Sequence, residues 1–164
     1  MIIRKARPDD LDACMKIYAY AREAMRKSGN PSQWGDSRPA VETVQNDIAC
    51  GNLYVIEDEQ ILGVFAFIKG ADPTYARIEN GAWLNDEPYG TIHRIASSGV
   101  KKGVMKRALD YCEAQVGNVR VDTHKDNKIM QHILEKNGYN RTGIIYIADG
   151  SPRIAYQKVT GTIK

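Results

Sequence analysis

The 164 residues are 43% hydrophobic and 26% charged, which is enough apolar material for one globular domain with a real core, expected to span residues 1–164. A net charge of +3, with acidic and basic residues interspersed, excludes the basic stripes by which nucleic acid is held. No apolar run reaches membrane-spanning length and no signal peptide is visible, so a soluble cytoplasmic protein without a membrane partner is expected.

In chain order, Ile2–Lys5 reads as a short apolar strand. Pro8, Asp9 and Asp10 then open a helix whose stripe is Leu11, Cys14, Met15, Tyr18, Ala21 and Met25, closed by Gly29. Asn30–Arg38 is a loop around Trp34, which either anchors the loop or covers a site. A second helix runs from about Pro39 to Cys50, with Val41, Val44 and Ile48 inward. Leu53–Glu57 and Ile61–Lys69 form a hairpin by their spacing. Gly70 and Pro73 break the second strand, and Arg77–Trp83 has the pattern to resume pairing.

Thr91–Cys112 is the stretch on which the rest is organised. A strand over Thr91–Ala96 feeds a turn carrying Ser97, Ser98, Gly99, Lys101, Lys102 and Gly103, and a helix follows from Val104. A helix start leaves N–H groups without intrahelical acceptors, the helix dipole adds positive potential, and small residues admit a ligand to the main chain. The turn therefore reads as a holder of the phosphates of a nucleotide-like cofactor. Neither a P-loop nor a GxGxxG fingerprint fits the glycine spacing.

Asn118–Thr123 is the next strand, and Asp126 is placed to cap a helix holding Ile129, Met130, Ile133 and Leu134 that ends at Gly138. Arg141–Ala148 and Arg153–Lys158 flank Asp149–Gly150 as a hairpin. The order β α α β β β α β α β β predicts a mixed α/β (α+β) domain, a mostly antiparallel sheet with helices packed on it. Cys14, Cys50 and Cys112 show no metal-ligand spacing, so no metal site is expected; they read as small buried hydrophobes in a reducing compartment.

Two segments resemble the GNAT superfamily of N-acetyltransferases. Thr91–Cys112 resembles its acetyl-CoA-binding strand, turn and helix, although of the usual Q/RxxGxG/A only Gly103 is kept in Val100–Met105. Asn127–Tyr139 (NKIMQHILEKNGY) resembles the family's NxxAxxLYEKxGF, with Asn127, Glu135, Lys136, Gly138 and Tyr139 in place. The resemblance implies a GNAT-like fold, acetyl-CoA as cofactor, and a small-molecule or peptide amine as acceptor, attacked directly in a ternary complex. A homodimer is a further implication.

By the same resemblance, the main chain of Ile95, Ala96 and Ser97 holds the thioester arm, and Ser97, Ser98, Gly99, Lys101, Lys102, Gly103, Val104 and Asn127 complete the cofactor site. The family's tyrosine, the usual acid toward the leaving thiolate, falls on Leu134. Tyr146 is the tyrosine nominated instead, although a thiol near pKa 8.5 leaves readily without an acid. An alkylammonium, with a pKa of about 10.4, needs a base within hydrogen-bond reach. His93, Glu79 and His124 are the candidates. Arg94 alternates with His93 and reads as an ion-pair partner. Two alternatives stand beside transfer: a non-catalytic module binding CoA or acetyl-CoA, and a binder of some other phosphate ligand. Trp34, Tyr75, Trp83 and Tyr89, with Asp72, Glu79, Asp86 and Glu87, sit in loops that would suit a cationic amine or simply pack and solvate.

Overall fold

The computed structural model describes residues 1–161. Its elements are β1 (Ile2–Lys5), α1 (Leu11–Lys27), α2 (Val41–Ala49), β2 (Leu53–Glu57), β3 (Ile61–Lys69), β4 (Gly90–Ser97), α3 (Val104–Gln115), β5 (Asn118–Thr123), α4 (Lys128–Lys136), β6 (Asn140–Tyr146) and β7 (Pro152–Val159). The order matches the alternation of periods in the sequence. One seven-stranded sheet runs β1-β2-β3-β4-β5-β7-β6, antiparallel everywhere except between β4 and β5.

Each face of the sheet carries its own apolar layer. Val104, Ala108, Leu109 and Cys112 of α3, with Met130 and Leu134 of α4, pack on Phe67, Ile92, Val119 and Val121. Cys14, Ile17 and Tyr18 of α1, with Val44 of α2, pack on Leu53, Val55, Val64 and Ala66 of the other face. Strand alternation sends neighbouring residues to opposite faces, so each helix pair covers a different set of the same strands.

Three local expectations are corrected. Arg77–Trp83 forms no strand; it makes only an isolated bridge from Glu79 to Ile144. The cap of α4 is Asn127, whose side chain accepts from the N–H of Met130 at 2.9 Å, rather than Asp126. Cys50 is exposed at the end of α2, while Cys14 and Cys112 are buried as expected. The reason is helical phase, since Val44 and Asp47 already define the inward side of so short a helix.

Candidate active site

The site begins where a ladder stops. β4 and β5 pair in parallel only over Gly90, Ile92 and the residue between, against Val119–Val121. Beyond Ile92 the two strands diverge. On its other side β4 stays paired with β3, but with a bulge: Ala66 faces His93 and Val64 faces Ala96, so Arg94 and Ile95 together oppose one residue. Arg94 takes a φ of 50° there, uncommon for a side chain with a Cβ. The parting of the two strands leaves the main chain of Ile95, Ala96 and Ser97 on an edge without a β5 partner.

A cavity of about 630 Å³ opens in this gap. Ile92–Ser97 of β4 and Val121–Thr123 of β5 form its floor, with Asn127, Met130 and Ile133 of α4 on one side and Trp34, Arg38 and residues of α1 on another. Trp34 both packs and lines: its ring meets Tyr18 edge-on at 5.6 Å between centroids while facing the cavity.

The turn between β4 and α3 combines open and occupied main-chain groups. Gly103 is the residue before α3, at φ 82°, where a Cβ would meet nothing within 4 Å, and no side chain caps the start of the twelve-residue helix. Two turn amides are already used, however: Gly99 N–H donates to Ser97 Oγ at 3.2 Å and Val100 N–H to Ser98 Oγ at 3.3 Å. Lys101 is ion-paired with Asp58, and both lysines are exposed. Val104 is buried against the sheet, and Asn127 spends its side chain on Met130 N–H and Gln33.

Of the nominated bases, His93 lines the cavity; Glu79 and His124 do not. His93 Nε2 lies 3.0 Å from Asp72 Oδ2. That hydrogen bond, then those from Thr74, hold the Asp72 carboxyl down at about 2 against the opposing effect of burial. Glu79 Oε2 instead accepts from the Tyr146 hydroxyl at 2.8 Å, so these two nominees are bound to each other away from the cavity. His124 Nδ1 accepts the N–H of Asp126 at 3.0 Å, serving a turn, and burial lowers its pKa. Leu134 is fully buried in the core, so no proton donor stands at that position. Tyr139 is buried too, its hydroxyl donating to Glu113.

Asp122 and Arg153 stand outside the residues nominated from the sequence, and Asp72, named there only among acidic loop residues, is the partner of His93. Asp122 lines the cavity and accepts from the Tyr75 hydroxyl at 2.6 Å; burial raises its pKa, opposed by that hydrogen bond. Arg153 lines the cavity from β7. Asp122 stands at an alternate position of an apolar strand, a signal that was readable, whereas the partnership of Asp72 with His93 spans 21 residues and a loop. The loop aromatics Trp83 and Tyr89 do not line the cavity; they sandwich the Arg120 guanidinium at 4.1 and 3.8 Å. Arg94 pairs with Asp47 through two 2.8 Å hydrogen bonds, as an ion-pair partner should, yet the bulge also brings it to the cavity wall.

Residues 1–140 match the family model described as "Acetyltransferase (GNAT) domain". Among solved structures, a GNAT-family acetyltransferase from Streptococcus agalactiae 2603 is 35% identical, with a TM-score of 0.89 over 98% of this chain and 96% of that one. A GNAT-family acetyltransferase from Listeria monocytogenes 4b F2365 is 20% identical, with a TM-score of 0.70 over 96% and 94% of the two chains. A phosphinothricin acetyltransferase from Sinorhizobium meliloti, solved in complex with AcCoA, is 16% identical, with a TM-score of 0.64 over 98% and 88%. Comparison with curated proteins gives no match. Among the described residues no helix is long and apolar enough to cross a membrane, and no cluster of potential metal ligands occurs. The sheet that parts between β4 and β5, the helix start beside the gap and the family match agree: the chain belongs to the GNAT acetyltransferases.

Proposed function

We propose that the protein transfers the acetyl group of acetyl-CoA to the primary amine of a small molecule by direct attack in a ternary complex. The observation that carries this reading is the cavity between β4 and β5, floored by an unpaired strand edge and open beside the N-terminus of α3. When bound, acetyl-CoA supplies an acyl group activated as a thioester. The amides at Gly103 and the first turn of α3 would hold its diphosphate, with the dipole of a twelve-residue helix behind them. The free edge of Ile95–Ser97 would hold the arm, and a main-chain N–H there would donate to the thioester oxygen as negative charge builds on it. Holding amine and thioester together supplies much of the remaining rate.

His93 is the base this arrangement favours. Asp72, held ionised at neutral pH, can only accept, so the proton of their hydrogen bond sits on His93 Nε2. Nδ1 is then the nitrogen left to take a proton from the amine. Glu79 and His124 remain the other bases nominated and Tyr146 the acid; His124 is engaged by a turn, and a direct comparison decides among the rest. Thiol release from acetyl-CoA is measured with a panel of amines for H93Q, E79Q and Y146F. We expect kcat to fall by about 10²–10⁴-fold in H93Q with the KM for acetyl-CoA little changed, and E79Q and Y146F to stay near wild type. The reverse pattern transfers the role to the Glu79–Tyr146 pair. Binding of CoA in calorimetry without thiol release from any amine would leave the non-catalytic module as the reading, and no binding at all would overturn both.

A further inference from the structure

We infer that the acceptor carries an oxyanion, in the simplest case the carboxylate of an amino acid, and that Arg153 with Arg38 recognises it. The inference rests on the acetyl-transfer reading only for the identity of the second substrate; the anion site itself does not.

The charges on the cavity wall are mostly spoken for. Arg94 is held bidentately by Asp47, and His93 is held by Asp72. Arg153 is different. It is 94% buried at 6% exposure, its Nη1 donates to the carbonyl of Pro152 at 2.9 Å, and no carboxylate lies within ion-pair distance of it among the described residues. A buried guanidinium is normally paired, because leaving a charge in low dielectric without a partner is costly. Here the side chain lines the cavity instead. Arg38 lines the same cavity from the loop before α2, its Nη2 reaching only the carbonyl of Ser32 at 3.3 Å.

The sheet register sets where an acceptor would sit. Asp122 is directly opposite Ala155 on β7, so Arg153, two residues before Ala155, is its diagonal neighbour on the same face. The two side chains nonetheless make no ion pair. Asp122 is engaged by Tyr75, and Asp149, a further carboxylate near Arg153, is engaged by the N–H of Ser151 at 2.8 Å. His124 is the other titratable group near Arg153. An amine placed between His93 and Asp122 would thus have a planar, bidentate donor set beyond it, which matches a carboxylate or phosphonate and has nothing to offer an alkyl group.

Thiol release and calorimetry test this together. The probes are the common α-amino acids, their carboxamides and decarboxylated amines, and aminoalkylphosphonates of similar size, the last separating carboxylate from other oxyanions. The expected result is a preference of about 10–100-fold for oxyanion-bearing amines over their neutral counterparts, the range of a charge-assisted hydrogen-bond pair. R153Q should raise the KM of the oxyanion-bearing amine far more than that of its neutral counterpart, and R153K should restore part of the preference. R38Q, at an exposed position, should reduce the preference in the same direction. Equal use of neutral amines by the wild type, or a preference unchanged in R153Q and R38Q, overturns the inference while leaving acetyl transfer in place. Calorimetric binding of an amino acid that is lost in R153Q, with no thiol released, supports the anion site and overturns acetyl transfer.

Discussion

The Tyr18 hydroxyl donates to the main-chain carbonyl of Arg94 at 2.8 Å, from a side chain with no exposure to solvent. Through this bond α1 fixes the bulge in β4, and the bulge decides which main-chain groups face the cavity. Y18F removes the donor and leaves the carbonyl of a bent strand unanswered. We expect a loss of about 1–3 kcal/mol in urea unfolding together with a several-fold rise in the KM for acetyl-CoA. Loss of stability with an unchanged KM would show that the bulge holds its shape without Tyr18.

Asp47 performs the complementary task on the side chain of the same residue. Its carboxylate is buried on α2 and takes both Arg94 Nε and Nη2 at 2.8 Å. D47N keeps the size and loses the charge, stranding a guanidinium at the cavity wall. Breaking a largely buried pair from one side costs about 3 kcal/mol or more. Thermal unfolding of D47N beside the double variant D47N/R94Q measures it, and the double variant should recover part of the loss. Equal stability of D47N and wild type would mean that solvent already answers the guanidinium.

Much of this architecture is legible in the residues. Val104, Met105, Ala108, Leu109, Cys112 and Val116 form one apolar stripe along α3 and its end; Val104, Ala108, Leu109 and Cys112 are buried in the core layer, while Met105 and Val116 pack against it partly exposed. Gly103 signals the helix start because a φ of 82° and an open approach both favour glycine. The site is harder to read, because its chemistry is made by tertiary pairing. Nothing near His93 in the sequence points to Asp72, and Glu79 meets Tyr146 only because the 70–89 loop folds back on β6. Arg153 looks like the opening residue of a hairpin strand, and that no carboxylate among the described residues pairs with it is visible only once the carboxylates around it have found their partners. Arg94 was readable as an ion-pair residue by alternation, but alternation fails at a bulge, which rotates its side chain to the cavity wall.

Gly63 links the sheet to the start of α3. A Cβ built on it would stand 2.6 Å from Val104 Cγ1 and 3.2 Å from the carbonyl oxygen of Ala96. Val104 is the first residue of α3, so G63A would push the helix start away from β4. Overpacking of this kind costs about 1–3 kcal/mol. We expect a lower Tm and weaker CoA binding in calorimetry, whereas binding of a pantetheine fragment lacking the diphosphate should change less. Equal losses for CoA and for the fragment would show that the turn has not moved relative to the strand edge.

The Asp72–His93 pair predicts an acid-side signature. Asp72 is faced by the His93 imidazole, by the N–H and hydroxyl of Thr74, and at longer range by Asp122; its own N–H donates to the Tyr89 hydroxyl. Its carboxyl is held down at about 2 in the folded protein, chiefly by His93, while in the unfolded chain it titrates near its ordinary value of about 3.9. A carboxyl depressed by folding stabilises fully above the unfolded value, and that contribution is lost as pH falls through the folded value. The window is therefore about pH 4 down to pH 2. Urea midpoints measured across it should fall more steeply for the wild type than for D72N, which has no proton to take up at this position. At neutral pH D72N should be the less stable of the two and, having lost the acceptor that keeps the proton on Nε2, slower in kcat than in KM. Parallel acid limbs in the two proteins would place the titrating group elsewhere and remove the argument for Nδ1 as the accepting nitrogen.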